Sequence, residues 1–386
     1  MIEKGRISSL QMAIMMLPTI IATGILLVPA ITGKFAKQDM WMSPVWASLA
    51  GFLIVYIAYH LHTHYPKETV IQYSVKIIGA VPGKVVGFLY LFFYLHINGM
   101  VLREYGEFVV GNFLIKTPML VVIGSMAFVC ALAVRGGIEV LARTAQIFVP
   151  VVIILLFFIA ILLLPDLEPK KMFPIMEKGV LPSLMGAIVP SSWFTEFFLL
   201  SFLLPFLGQR EKGLKWGIIA VFAVMLLMVI TSLVSLLLFG GITATFTYPV
   251  FSAVRYISIA DFLQHLESIV MAIWVAGTFV KVSVFFYVLV IGTAQWLDLS
   301  DYRSLVLPIG FLLVTVSFWV APDLQTLALF LSTSSPFYLF LIQFLLPTLL
   351  LIVSVIRKKN RRNREKVPSN INNLTAAVPE SGKMNE

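Results

Sequence analysis

Runs of eighteen or more mostly apolar residues recur along the whole chain. Each can cross a ~30 Å hydrocarbon layer as a helix rising about 1.5 Å per residue. This feature removes most fold classes. Barrel strands alternate apolar and polar residues, whereas these runs are continuous. In lipid a lone segment must satisfy its own backbone, and only the α-helix does so. Of the 386 residues, 59% are hydrophobic and 12% charged, against about 45–50% apolar and 25% charged in a soluble domain. The chain reads as an all-α integral membrane protein.

Ten spans are predicted, at about 8–33, 41–60, 84–108, 118–134, 145–164, 183–207, 216–240, 268–292, 305–321 and 336–356. An even number puts both termini on one side. Eight of the 28 Lys and Arg lie beyond Ile356, starting with Arg357, Lys358 and Lys359. A basic cluster flanking a span marks the cytoplasmic side. Its position accounts for the charge of +9 through lipid contact and speaks against nucleic acid. Lys4 and Arg6 precede a run too long for a signal peptide and without an A-x-A-like cleavage site, so it reads as the first span. The single Cys130 falls inside a span and says nothing about redox compartment. Residues 61–83 suit a short cytoplasmic interfacial helix. Two long outer loops follow, Pro165 to Pro182 and Gly241 to Glu267. The second carries Ile257, Ile259, Phe262 and Leu263 and is expected to fold back over the outer mouth. Residues 1–360 form one transporter-like membrane domain, and 361–386 a basic, polar tail expected to be disordered.

The ten spans divide into two sets of five, about 8–164 and 183–356. Five is odd, so the second set inserts upside down. The first span holds Pro18, Thr19, Thr23, Gly24 and Pro29; the sixth holds Gly186, Pro190, Ser191, Ser192 and Thr195. Helices interrupted at matching places in inverted halves point to a midplane transporter site. We therefore expect an inverted 5+5 repeat with broken first and sixth helices. Thr23-Gly24-Ile25 is then either an unwound ligand site, with a half-helix N-terminus that favours a carboxylate, or a small-residue packing contact.

Two ionisable residues lie at similar depth with opposite charge. Glu196 follows the Pro190 break, and Lys281 sits near the centre of the eighth span. A charge at the bilayer centre costs ~2.5–3.5 kcal/mol on insertion scales. Glu196 could carry a proton, hold an amine or pair structurally. Lys281 could meet Glu196 or backbone carbonyls, and its ammonium could stand where a transporter binds sodium. Arg103 and Glu107 are i,i+4 neighbours, either an interfacial rim or an outer gate. His96 lies deeper in the same span. His60, His62 and His64 do not make a metal set, since only His60 and His64 share a helical face and no further ligand completes it. No nucleophile, phosphate-loop or zinc-protease motif is present, and nothing calls for a cofactor or an enzyme.

The chain resembles the permease-like B subunit of bacterial spore germinant receptors, within the amino acid–polyamine–organocation transporter superfamily. The residues that carry this are Thr23-Gly24-Ile25-Leu26, Pro66-Lys67-Glu68-Thr69, Leu102-Arg103-Glu104, Lys116-Thr117-Pro118, Gly137-Ile138-Glu139, Glu196 with Pro205-Phe206-Leu207, Arg255-Tyr256-Ile257-Ser258, and Phe279-Val280-Lys281. The resemblance implies the ten-helix inverted fold and residence in the inner spore membrane. It implies a complex with an A subunit and a lipoprotein C subunit, in which the chain senses a small nutrient and triggers germination. By motif match it puts Gly24, the region of His96 and the segment Ser192-Trp193-Phe194-Thr195 around Glu196 at the ligand. That ligand would be an amino acid, or a sugar stacking on Trp193. Many relatives have a Pro-Phe-Gly-like step where this chain has Trp193-Phe194-Thr195. A proton-coupled amino-acid transporter, with Glu196 cycling its proton, is the alternative.

Overall fold

The computed structural model describes residues 3–256 and 266–366. The expected fold-back residues Ile257, Ile259, Phe262 and Leu263, and the tail 367–386, lie outside them. The helices are α1 (Ser9–Ala36), α2 (Ser43–His64), α3 (Val70–Ile78), α4 (Ala80–Asn112), α5 (Met119–Arg135), α6 (Ile138–Leu163), α7 (Leu181–Phe194), α8 (Leu200–Leu203), α9 (Gly213–Phe239), α10 (Pro249–Tyr256), α11 (Glu267–Trp296), α12 (Val306–Trp319), α13 (Leu324–Thr333), α14 (Ser335–Phe340) and α15 (Leu346–Lys366). A helix lies over every stretch expected to be a span. Helix α15 runs six residues into the segment expected to be a disordered tail from 361.

Among the described residues, seven helical stretches are long and apolar enough to cross a membrane, or eight if the pair bent by 93° after Trp319 is one span. One of the seven, Ser9–His64, is 56 residues long. Straight, it would reach about 84 Å; a 3₁₀ turn at Lys37–Met42 divides it into α1 and α2. The chain is an integral membrane protein.

Local chemistry sets the starts. Ser8 caps α1 through a reciprocal box with Gln11, which satisfies donors the first turn cannot. Thr69 and Gln72 do the same for α3, the expected interfacial helix, which buries Val70, Tyr73 and Ile77. Gly79 then turns the chain into α4 at φ 101°, a conformation only glycine adopts freely.

Helix α1 is the centre of the bundle. It packs on α6, α7, α9 and α11 and buries most of its length. From Ile147 on, helix α6 is apolar all round and little of it is buried, as a lipid-facing helix should be. The first outer loop is strapped down: Glu168 N–H donates to Leu237 O (3.0 Å), Lys171 Nζ to Leu238 O (2.7 Å) and Met176 N–H to Asp39 Oδ1 (2.9 Å). In the second, α10 folds onto the core and buries Phe251 and Val254.

Two expected interruptions differ from the structure. The first span is one continuous helix through Thr23-Gly24-Ile25, so no unwound segment stands there. Pro18 and Pro29 each remove one N–H, which leaves the carbonyls of Ile14 and Ile25 without their usual donors. The helix continues across both, packed on four neighbouring helices. In the sixth span α7 continues through Pro190-Ser191-Ser192 and ends at Phe194. The chain then tightens into a 3₁₀ segment, Thr195–Leu199, before α8. The interruption is one turn later than expected and falls on Glu196 itself.

Candidate functional site

Glu196 leaves the 3₁₀ segment toward α11. Lys281 Nζ donates to Glu196 Oε2 at 3.1 Å and to Thr23 Oγ1 at 2.9 Å. The two charged side chains are 1% and 4% exposed. Lys281 Nζ also lies 5.4 Å from the centre of the Phe285 ring. One ammonium thus ties α1, the broken sixth span and α11 at one point. A buried charge survives only when paired and hydrogen-bonded, and two of the three ammonium N–H groups are used here.

The neighbouring residues of α1 and α7 close over this bridge. A Cβ on Gly24 would stand 2.3 Å from Met228 Cε and 3.7 Å from Trp193 Cε3, so Trp193 lies against the helix next to Thr23. Ile25 lines an apolar slot of about 40 Å³ with Ala22, Leu227, Ile273, Trp274 and Gly277. Thr23, Gly24, Trp193, Glu196 and Lys281 are therefore brought together.

Other expected site residues point elsewhere. Ser192 Oγ donates to Val189 O (2.7 Å) and Thr195 Oγ1 to Ser192 O (2.5 Å); both serve the helix beside the break. Phe194 packs on Gly51 of α2, where an added Cβ would meet its Cδ1 at 2.8 Å. His96 stands among Phe92, Tyr338 and Phe330, with ring centres 5.6–6.2 Å away, on the side of α4 that meets α13 and α14. Tyr94 of α4 packs near the bridge, its ring on Phe202 (5.5 Å) and on Phe285 (5.9 Å). Asn98 Nδ2 reaches Val282 O at 3.4 Å. His60 and His64 are spent on Tyr56 O (3.0 Å) and Ser354 Oγ (2.9 Å).

The Arg103–Glu107 pair is no loose rim. Arg103 is 6% exposed and bonds Glu107 Oε1 through Nε (3.0 Å) and a terminal nitrogen (2.7 Å). It also donates to Pro322 O at 2.6 Å, fastening α4 to the bend between α12 and α13. Arg103→Lys keeps the charge but loses the planar fork. We expect faster proteolysis at the 320–323 bend of reconstituted protein; an unchanged cleavage pattern would refute this fastening role.

Sequence reasoning missed Glu104 as an inward residue. It is 3% exposed, on α4. The signal was its spacing: Ile97, Val101 and Phe108, at helical intervals from it, form one apolar face.

A family model for spore germination proteins matches residues 6–323. The chain belongs to the spore germination protein family. Within that family it is 27% identical to Spore germination protein KB of Bacillus subtilis (strain 168) over 365 residues, 93% of this chain and 97% of that protein. Two solved structures share the fold at 13% identity. MhsT in complex with L-phenylalanine aligns with a TM-score of 0.58 over 91% of this chain and 99% of that one. Mhp1, a nucleobase-cation-symport-1 family transporter in a closed conformation with bromovinylhydantoin bound, aligns with a TM-score of 0.62 over 90% and 78%. This spore germination protein thus combines a transporter fold with a buried, fixed ammonium at the junction of three central elements.

Proposed function

We propose that this chain is the nutrient-sensing B-type subunit of a spore germinant receptor, with ten crossings in two inverted sets of five. It would reside in the inner spore membrane with both termini on the core side, beside an A subunit and a lipoprotein C subunit. Family membership gives the setting. The observation that carries the sensing role is the Lys281 bridge, which joins α1 and the broken sixth span through Thr23 and Glu196.

A small nutrient, an amino acid in the first instance, that enters between Thr23-Gly24 and Trp193 must displace or recruit these bonds. The helices that the bridge joins then change their relative stability, and a partner reads that change. The shift extends only as far as the ligand prefers one arrangement. Proton-coupled transport is the second reading, favoured by the fold of Mhp1. It needs Glu196 to release Lys281 in every cycle.

Spores carrying this subunit as their sole receptor, tested against an amino-acid and sugar panel, provide the test. Trp193→Ala should raise the half-maximal concentration of the active nutrient by about tenfold or more, a loss of ~1.4 kcal/mol in binding, with protein level unchanged. Saturable, proton-driven uptake by the chain alone in liposomes, with no germination phenotype, would replace sensing by transport.

A further inference from the structure

Among the described residues, one buried acid is left with neither a cation nor a backbone N–H to hold it. Lys281 is taken by Glu196 and Thr23, and Arg103 by Glu107 and Pro322 O. Glu3 and Asp39, also buried, accept backbone N–H groups at the two ends of the bundle. Glu104 lies between those ends, and its Oε1 has no hydrogen-bond partner among the described residues. The titratable groups whose charge is felt at Glu104 are Lys281 of α11 and Glu196, and Tyr248, just before α10, feels Glu104 in turn.

Three further buried groups that can donate are likewise unmatched among the described residues: Trp274 Nε1, Thr278 Oγ1 and Tyr248 Oη. Phe108, one helical turn beyond Glu104, packs on Trp274 (5.2 Å between ring centres) and on Tyr248 (5.4 Å). Trp274 and Thr278 are successive turns of α11 above Lys281. Buried polar groups are almost always hydrogen-bonded, so an acceptor and three donors left open together mark a place for a ligand with both functions. Trp274 also lines the apolar slot of about 40 Å³. Its apolar lining suits a small alkyl group.

We propose that Glu104 receives the primary ammonium group of a small ligand whose alkyl portion enters the slot beside Trp274. This rests on the nutrient-pocket reading for the ligand's being small, and adds its charge, its shape and a contact on α4. Trp274, Thr278 and Tyr248 are left to donate to an acceptor on the same molecule.

The test uses the full chain in nanodiscs, with melting temperature followed against isobutylamine, L-valine and isovalerate, which separate the amine from the carboxylate on one alkyl frame. Isobutylamine and L-valine should stabilise the wild type saturably. Glu104→Gln should raise their half-saturating concentration about thirtyfold or more, as expected when one partner of a buried charge pair is removed. The response to isovalerate should not depend on Glu104. If Glu104→Gln does not fold, Glu104→Asp takes its place; it keeps the charge, and should retain a weakened but saturable response to isobutylamine. The proposal is overturned by wild type that ignores isobutylamine, by Glu104→Gln that responds as wild type does, or by Glu104→Asp with an undiminished response. Spores whose germination still depends on Trp193 after such a result would leave the sensing role intact and remove only Glu104 from it.

Discussion

Lys281→Met is expected to lower the stability of the membrane-embedded chain by about 3–5 kcal/mol, because it leaves Glu196 as a buried charge without its partner. The loss should appear as a lower melting temperature in nanodiscs and less protein in the spore membrane. Glu196→Gln is expected to be damaging in the same way, since it strands the ammonium. Removing both charges removes the reason for the loss, so the double variant should recover most of the stability of either single one. Thr23→Val takes away one hydrogen bond to a charged group, worth about 1.5–3 kcal/mol, and should fall between the wild type and Lys281→Met. A recovered double variant should still fail to answer nutrient, because three elements are no longer joined at one point. A double variant no more stable than its singles would show that the pair is not the support that its 3.1 Å geometry indicates.

Gly83→Ala is the second large effect. A Cβ there would stand 2.3 Å from Val75 Cα and 2.6 Å from Val75 N. These are backbone atoms of α3, which cannot turn aside as a side chain can. Overpacking of this kind costs about 1–3 kcal/mol, and the backbone contact puts this site at the upper end. Gly87→Ala on the same helix meets Trp296 Cδ1 at 2.9 Å, a side chain, and should cost less. Gly124→Ala meets nothing within 4 Å and should be neutral. Melting temperatures of the three variants check the order; equal losses at Gly83 and Gly124 would contradict the close packing of α3 on α4.

The span pattern was legible because lipid leaves a polypeptide few options. Continuous apolar runs had to be helices, and helices lie over each of them. The pairing of Glu196 with Lys281 was legible for a related reason. Two opposite charges at similar depth in an apolar medium lower their cost by meeting, and they do. Proline positions misled the reading of the breaks. Pro18, Pro29 and Pro190 each remove one hydrogen bond, but whether a helix opens there depends on what encloses it. Helix α1 is enclosed by α6, α7, α9 and α11 and stays closed, whereas the sixth span tightens at Thr195–Leu199, where Glu196 turns to its partner.

What faces what was beyond the pattern. Thr23 was grouped with Gly24 as backbone of a ligand site, yet its hydroxyl accepts from Lys281. His96 was placed at the ligand by motif, but the rotation of α4 turns it to Tyr338 and brings Tyr94 toward the bridge. Glu104 stood beside the Arg103–Glu107 pair in sequence and was not singled out.

By itself the sequence determined that this protein is a membrane-embedded bundle of helices, and which charges were too costly to stand alone at mid-depth. Both follow from the solvent, since hydrocarbon satisfies neither backbone nor charge. Only the tertiary structure decided which helices stay unbroken, which residue completes the Lys281 bridge and which acid is left over. Those depend on the rotation and enclosure of each helix, set by packing between segments more than two hundred residues apart, as with Thr23 and Lys281.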